Sequence, residues 1–156
     1  MNVKALILFF LFGLLLTPTF AQYDYTEQLA VQLYQDGSYD KALDLFSDLF
    51  HKNTKSDDYY DYYLNCLINL KQYKDAETEL KKLIKKFPEN PKYLVDLGYI
   101  YGLSGNIKKR NSVNEDLISK LYPNERYISL VANSFIKRAD IDNAIATYLK
   151  GRKLFS

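Results

Sequence analysis

Tyr39-Asp40-Lys41-Ala42 opens the stretch that decides the fold, because Tyr73-Lys74-Asp75-Ala76 restates it 34 residues later. Ile141-Asp142-Asn143-Ala144 stands two further such lengths along the chain. In each copy a large side chain follows the alanine by four: Phe46, Leu80 and Tyr148. Residues four apart share one face of a helix, so small and large side chains sit side by side there. A second half-pattern recurs on the same period. Leu29-Ala30 with Leu33, Leu97-Gly98 with Tyr101, and Val131-Ala132 with Phe135 read large, small, then large three or four residues on. The apolar period is helical throughout, with no strand-like alternation. A small residue lets two helices approach closely while its large neighbours fill the adjacent gap. Two helices per 34-residue unit, repeated, predict a stack of helical pairs.

Turn signals fall where such pairs need them. Asp36-Gly37-Ser38 and Ser104-Gly105-Asn106 end first helices, with Gly37 and Gly105 suited to a left-handed cap. Pro88-Glu89-Asn90-Pro91 and Pro123 separate units, since proline does not continue a helix interior.

On these residues the chain resembles the tetratricopeptide repeat (TPR) family. Repeat one, about 23–56, supplies Leu29, Ala30, Leu33, Gly37, Tyr39, Ala42 and Phe46. Repeat two, 57–90, supplies Tyr60, Leu67, Tyr73, Ala76, Leu80 and Pro88. Repeat three, 91–124, supplies Leu94, Leu97, Gly98, Tyr101 and Gly105, and repeat four, 125–156, supplies Ile128, Ala132, Phe135, Ala144 and Tyr148. The resemblance implies an all-α fold, a right-handed α-α superhelix of about four helix-turn-helix repeats over 22–156. It also implies a protein- or peptide-binding scaffold. The Tyr-, Asn- and Lys-rich composition behind an apolar leader resembles the N-terminal part of a secreted Bacteroidota-type TPR protein.

Three departures stand out. Leu64 takes the small slot of repeat two. Repeat three carries Arg110 in the alanine slot and Asn114 in the large apolar slot. Pro123 falls one residue late, which predicts a slip and a local bend within Ile107–Tyr122. The last helix, about Ile141–Leu154, has no cover for its stacking surface. Further repeats in a longer parent chain, or self-association, are expected there.

Residues 1–21 read as a secretory signal peptide: Lys4, the apolar run Ala5–Leu16, then Thr17-Pro18 and the small residues Thr19 and Ala21. Cleavage is expected after Ala21. Twelve helical residues reach about 18 Å, short of the ~30 Å hydrocarbon core of a bilayer. The expected location is therefore the periplasm or cell envelope, with no membrane span after cleavage.

Charge is modest. Residues 22–87 carry 9 basic and 12 acidic side chains, whereas 88–156 carry 11 and 7. No concentrated basic footprint marks a nucleic-acid partner. One His and one Cys leave little imidazole or thiolate chemistry, and no enzyme, metal or cofactor is expected. His51 reads as a cation at a helix C-terminus, Cys66 as a packing residue, and Asp57, Asp58 and Asp61 as charges at a helix start. Gly98 reads as a helix-packing glycine, since no strand precedes it as the dinucleotide fingerprint requires.

In the resembled family the partner lies along the exposed face of each first helix. By spacing that face holds Asp24, Glu27, Val31, Tyr34 and Gln35, then Asp58, Asp61, Asn65, Ile68 and Asn69. It continues through Lys92, Val95, Tyr99 and Leu103, then Arg126, Ser129, Asn133, Ile136 and Lys137. It is expected to run from acidic to basic, with Asn65 and Asn133 holding a peptide backbone. Glu27 and Asp61 argue against a clamp for a C-terminal carboxylate. Of Tyr59, Tyr60, Tyr62 and Tyr63, the second and fourth are expected to pack. Tyr59 or Tyr62 is expected at the surface, where it would suit a glycan-binding accessory module of outer-membrane uptake. A targeting arm of a longer protein is the third reading.

Overall fold

The computed structural model describes the backbone of residues 18–156 and the side chains from Tyr25 onward. The expected signal peptide falls outside the described residues up to position 17, as does the side chain of Asp24. Eight helices make up the regular structure among the described residues: α1 (Pro18–Gln35), α2 (Tyr39–Lys52), α3 (Asp57–Asn69), α4 (Tyr73–Lys86), α5 (Lys92–Leu103), α6 (Ile107–Ser119), α7 (Glu125–Lys137) and α8 (Ile141–Leu154). None of them is long and apolar enough to cross a membrane.

The 34-residue period is written in the backbone. Second helices start at Tyr39, Tyr73, Ile107 and Ile141. Backbone with positive φ occurs at Gly37 (76°), Lys71 (58°), Gly105 (79°) and Ala139 (57°), one per repeat at the same slot. At three of these turns the next residue's N–H reaches five residues back: Ser38 to Leu33, Asn106 to Tyr101 and Asp140 to Phe135. That bond closes a Schellman cap, and it requires the left-handed residue just before. Gly37 and Gly105 were legible from their residue type. Lys71 and Ala139 adopt the same geometry although a Cβ makes it costly.

The helices form two compact units, one ending at Leu70 and one spanning Lys71–Ser156. In the first, α1 packs on α2 and α2 on α3. Its core joins Ala30, Ala42, Phe46, Leu49 and Cys66. Tyr62 stacks on Phe46 with ring centroids 4.6 Å apart and Tyr63 on Phe50 at 5.8 Å. In the second, α4 packs on α5, α5 on α6 and α7 on α8, with lighter α5–α7 and α6–α8 contacts. Its core is built around Val95, Leu117, Leu121, Ile128, Val131, Phe135 and Ala144. The alanines of the small slots, Ala30, Ala42, Ala76, Ala132 and Ala144, are all buried, and Leu64 is buried in theirs.

The slip expected in repeat three leaves the starts of α6 and α7 in place. α6 starts in register at Ile107 and α7 in register at Glu125. α6 ends one residue early, at Ser119, and the displaced Pro123 is absorbed in the connection that follows. Leu121 N–H bonds Ile118 and Asn124 N–H bonds Tyr122 there. A non-helical connection takes up one residue more cheaply than a packed helix does, because no seam has to shift.

Candidate binding surfaces

In the first unit, Glu27, Gln28, Val31, Gln32 and Gln35 line a shallow depression of about 350 Å³ on α1. Three of these five belong to the expected binding face. Other members of that face are consumed by packing. Tyr34 lies half-buried among Tyr39, Phe46 and Tyr62, with centroids at 5.3, 6.5 and 5.0 Å. Burial, with the Tyr39 hydroxyl beside it, pushes the Tyr34 hydroxyl pKa up, while its hydrogen bond with Asn65 pulls the other way. The Asn65 side chain is thus engaged by Tyr34, and its backbone carbonyl accepts from the Asn69 amide at 2.8 Å. Glu27 accepts a 2.6 Å hydrogen bond from the Tyr59 hydroxyl. Asp58 is exposed and Asp61 half-buried in α3, whose N-terminus is capped by Ser56 through Tyr59 N–H.

The tyrosine run needs correcting. Tyr60 is buried, and Tyr59, Tyr62 and Tyr63 are all half-buried, so none stands out as a sticky exposed ring. Tyr62, expected at the surface, covers Phe46. Tyr34 and Phe46 contact Tyr62, and Phe50 contacts Tyr60 and Tyr63, while the Tyr59 hydroxyl donates to Glu27.

In the second unit, Lys92 and Tyr99 are half-buried, while Arg126, Asn133 and Lys137 are exposed on α7. Val95, Tyr99 and Leu103 of the expected face line a cavity of about 580 Å³. Its other walls are Gly102 at the end of α5, Arg110, Asn111, Asn114 and Glu115 of α6, and a third group around the α7–α8 turn. That group is Phe135, Arg138, Ala139, Asp140, Asp142 and Asn143. Behind the cavity wall, buried Asp96 accepts a hydrogen bond from Arg138 Nε. The Arg138 guanidinium lies 5.0 Å over the Tyr99 ring. Asp140 caps α8 through Asn143 N–H and also receives the Asn143 and Asn114 amides, at 2.8 and 3.4 Å.

The cavity is made where the repeat departs from its own pattern. In repeats one and two the slots hold Ala42 with Phe46 and Ala76 with Leu80, all buried. In repeat three they hold Arg110 and Asn114. Asn114 is 3% exposed, and its Oδ1 is buried with no hydrogen-bond partner. A Cβ at Gly98 would come within 2.2 Å of that oxygen, and one at Gly102 within 3.2 Å of Arg110 Cδ. The two glycines of α5 therefore make room for the two polar side chains of α6. Arg138, Asp140 and Asp142 were not expected at a site. The odd residues Arg110 and Asn114 were the signal that could have found it.

Neither unusual side chain points to catalysis. Cys66 is fully buried, and burial pushes its thiol pKa up to about 11. A thiol held that high is protonated and unreactive near neutrality. His51 is exposed in the last turn of α2, its Nδ1 2.7 Å from the Ser47 carbonyl. Among the described residues, no three His, Cys, Asp or Glu are grouped to hold a metal. On α8, Ile141, Ile145, Tyr148 and Leu149 form an exposed apolar stripe.

Among solved structures, MamA 41-end from Desulfovibrio magneticus RS-1 is similar at 17% identity and a TM-score of 0.47, covering 85% of this chain and 75% of that one. A thermophilic TPR protein of Thermus thermophilus is similar at 18% identity and a TM-score of 0.34, covering 85% and 91%. No curated protein matches the chain. Residues 33–95 match the family described as Tetratricopeptide repeat. Such repeats generally mediate protein–protein interactions. Over that matched segment, which spans less than half of the chain, the sequence is similar to tetratricopeptide repeats.

Proposed function

We propose that the chain is a non-catalytic scaffold that holds a protein or peptide partner in the periplasm or cell envelope. One observation carries this reading. In each unit the first-helix face provides a wall of a depression, through Val31 and Gln35 on α1 and through Val95 and Leu103 on α5. Asn133 and Lys137, exposed on α7, extend the polar part of that face. Of the two expected amides, Asn133 is the exposed one, while Asn65 is engaged by Tyr34. The apolar stripe on α8 suits a further repeat or a second copy. The envelope location rests on the leader-like residues 1–21.

Crosslinking in cells, followed by recovery of partners from the envelope fraction, tests the scaffold. Val31→Asp and Leu103→Asp are expected to lose the crosslinked partner while helicity stays unchanged. Equal recovery with both variants would remove the reading. Amino-terminal sequencing of the protein recovered from that fraction is expected to begin at Gln22.

A further inference from the structure

The cavity of the second unit has an unbalanced charge. Arg138 is neutralised by Asp96, since both side chains are buried against one another. Of the remaining lining residues, Arg110 is the one cation, and Glu115, Asp140 and Asp142 are three carboxylates. Glu115 and Asp142 are exposed and take part in no ion pair among the described residues. Arg110 spends its Nε on the neighbouring Asn111 amide, at 3.1 Å. A mouth with three carboxylates around one cation repels anions and gains by taking up a positive group. This local balance runs against the basic total of the C-terminal half, which comes from lysines and arginines outside the cavity.

We infer that this cavity binds the basic side chain, arginine first, of a partner polypeptide. The protein already shows the chemistry at the wall of the same cavity, where Tyr99 and Arg138 line it. Asp96 and Tyr99, three residues apart on α5, hold the Arg138 guanidinium between a carboxylate and a ring face. Planar guanidinium suits both contacts better than a compact ammonium does. On the lining of the same cavity, Glu115 and Asp142 offer two further carboxylates in reach of solvent. Val95, Leu103 and Phe135 supply apolar lining for the methylene stem.

The inference rests on the scaffold reading of the α5 face, but its test is separate. A blocked Gly-Gly-Arg-Gly-Gly peptide is titrated into the full chain and followed by backbone amide shifts. Its citrulline counterpart, with the same shape and no charge, and spermidine serve as the other arms. Saturable shifts are expected at Gly102, Asn111 and Asn143 with the arginine peptide, and weaker binding with citrulline and with spermidine. Glu115→Gln with Asp142→Asn should lower affinity about fivefold, as expected for two solvent-screened charge contacts. Arg110→Gln should raise it, because it removes the competing internal cation. Both changes are at exposed or half-exposed positions, and unchanged helicity confirms folding. Citrulline binding as well as arginine, or Arg110→Gln weakening the complex, would overturn the assignment. Spermidine binding as tightly as the peptide would overturn the polypeptide source. If crosslinking recovers no partner while the peptide still binds, the scaffold reading fails and the pocket stands. The reverse result removes the pocket alone.

Discussion

In repeat one, Phe46 fills the gap between α1 and α2 and stacks under Tyr62. Two repeat lengths later the same slot holds Asn114, buried against Gly98 with an unsatisfied oxygen. The backbone around both is alike: helices start in register, and a left-handed turn precedes each second helix. The difference lies in what fills the seam. An apolar ring closes it by dispersion and area, whereas an amide and a guanidinium leave a polar cavity beside it. The repeat thus tolerates a polar seam because its register is held by turns and flanking contacts. The second unit's apolar core continues beside it through Val131, Phe135 and Ala144.

Five substitutions would break or sharpen that comparison. Phe46→Asn carries the repeat-three residue into repeat one. It should cost about 3–5 kcal/mol, because a large ring is lost and an amide is buried without partners. Urea unfolding of the chain reads the loss, and a cost below about 1 kcal/mol would mean the first seam is as adaptable as the third. Asp96→Ala should cost nearly as much, about 3 kcal/mol, since it strands the buried Arg138 charge. The same titration measures it, and rescue by the paired Arg138→Met change would confirm the cause.

Ala76→Trp tests the small slot itself. Ala76 is fully buried in α4, so overpacking should cost about 1–3 kcal/mol. An unchanged melting temperature would remove the repeat assignment. Asn114→Leu restores the apolar residue and removes the buried orphan oxygen. It should stabilise the second unit by about 1 kcal/mol and shrink the cavity. A loss of stability instead would show that the Asn114–Asp140 contact matters more than the orphan oxygen. Ala139→Gly is the smallest effect. It relieves a left-handed Cβ and should gain about 0.5–1 kcal/mol in the same unfolding titration, net of the flexibility glycine adds when unfolded.

Particular residues show how far the sequence could be read. Ala42, Ala76 and Ala144 announced close helix approach, and all three are buried. Gly37 and Gly105 announced left-handed turns, and both have positive φ. Lys71 and Ala139 did not, since their residue types argue against the geometry that the turn imposes. Gly98 announced packing, though its partner, an asparagine oxygen, could not be foreseen. The binding face was half legible. Glu27, Val31, Gln35, Val95, Tyr99 and Leu103 do line depressions, while Tyr34 turned inward to aromatic neighbours on α2 and α3 and Asn65 is engaged by Tyr34.

By itself the sequence determined the 34-residue period, the helical type of every element and the small-against-large seams. Those depend on residue type and spacing along one or two turns of helix, which are local. Only the tertiary structure decided which polar side chains face each other. It set Asp96 under Arg138, Asn114 against Gly98, and Glu115 and Asp142 on the lining of one cavity. Such meetings join residues many positions apart, and they follow from how neighbouring helices cross, which no local spacing records.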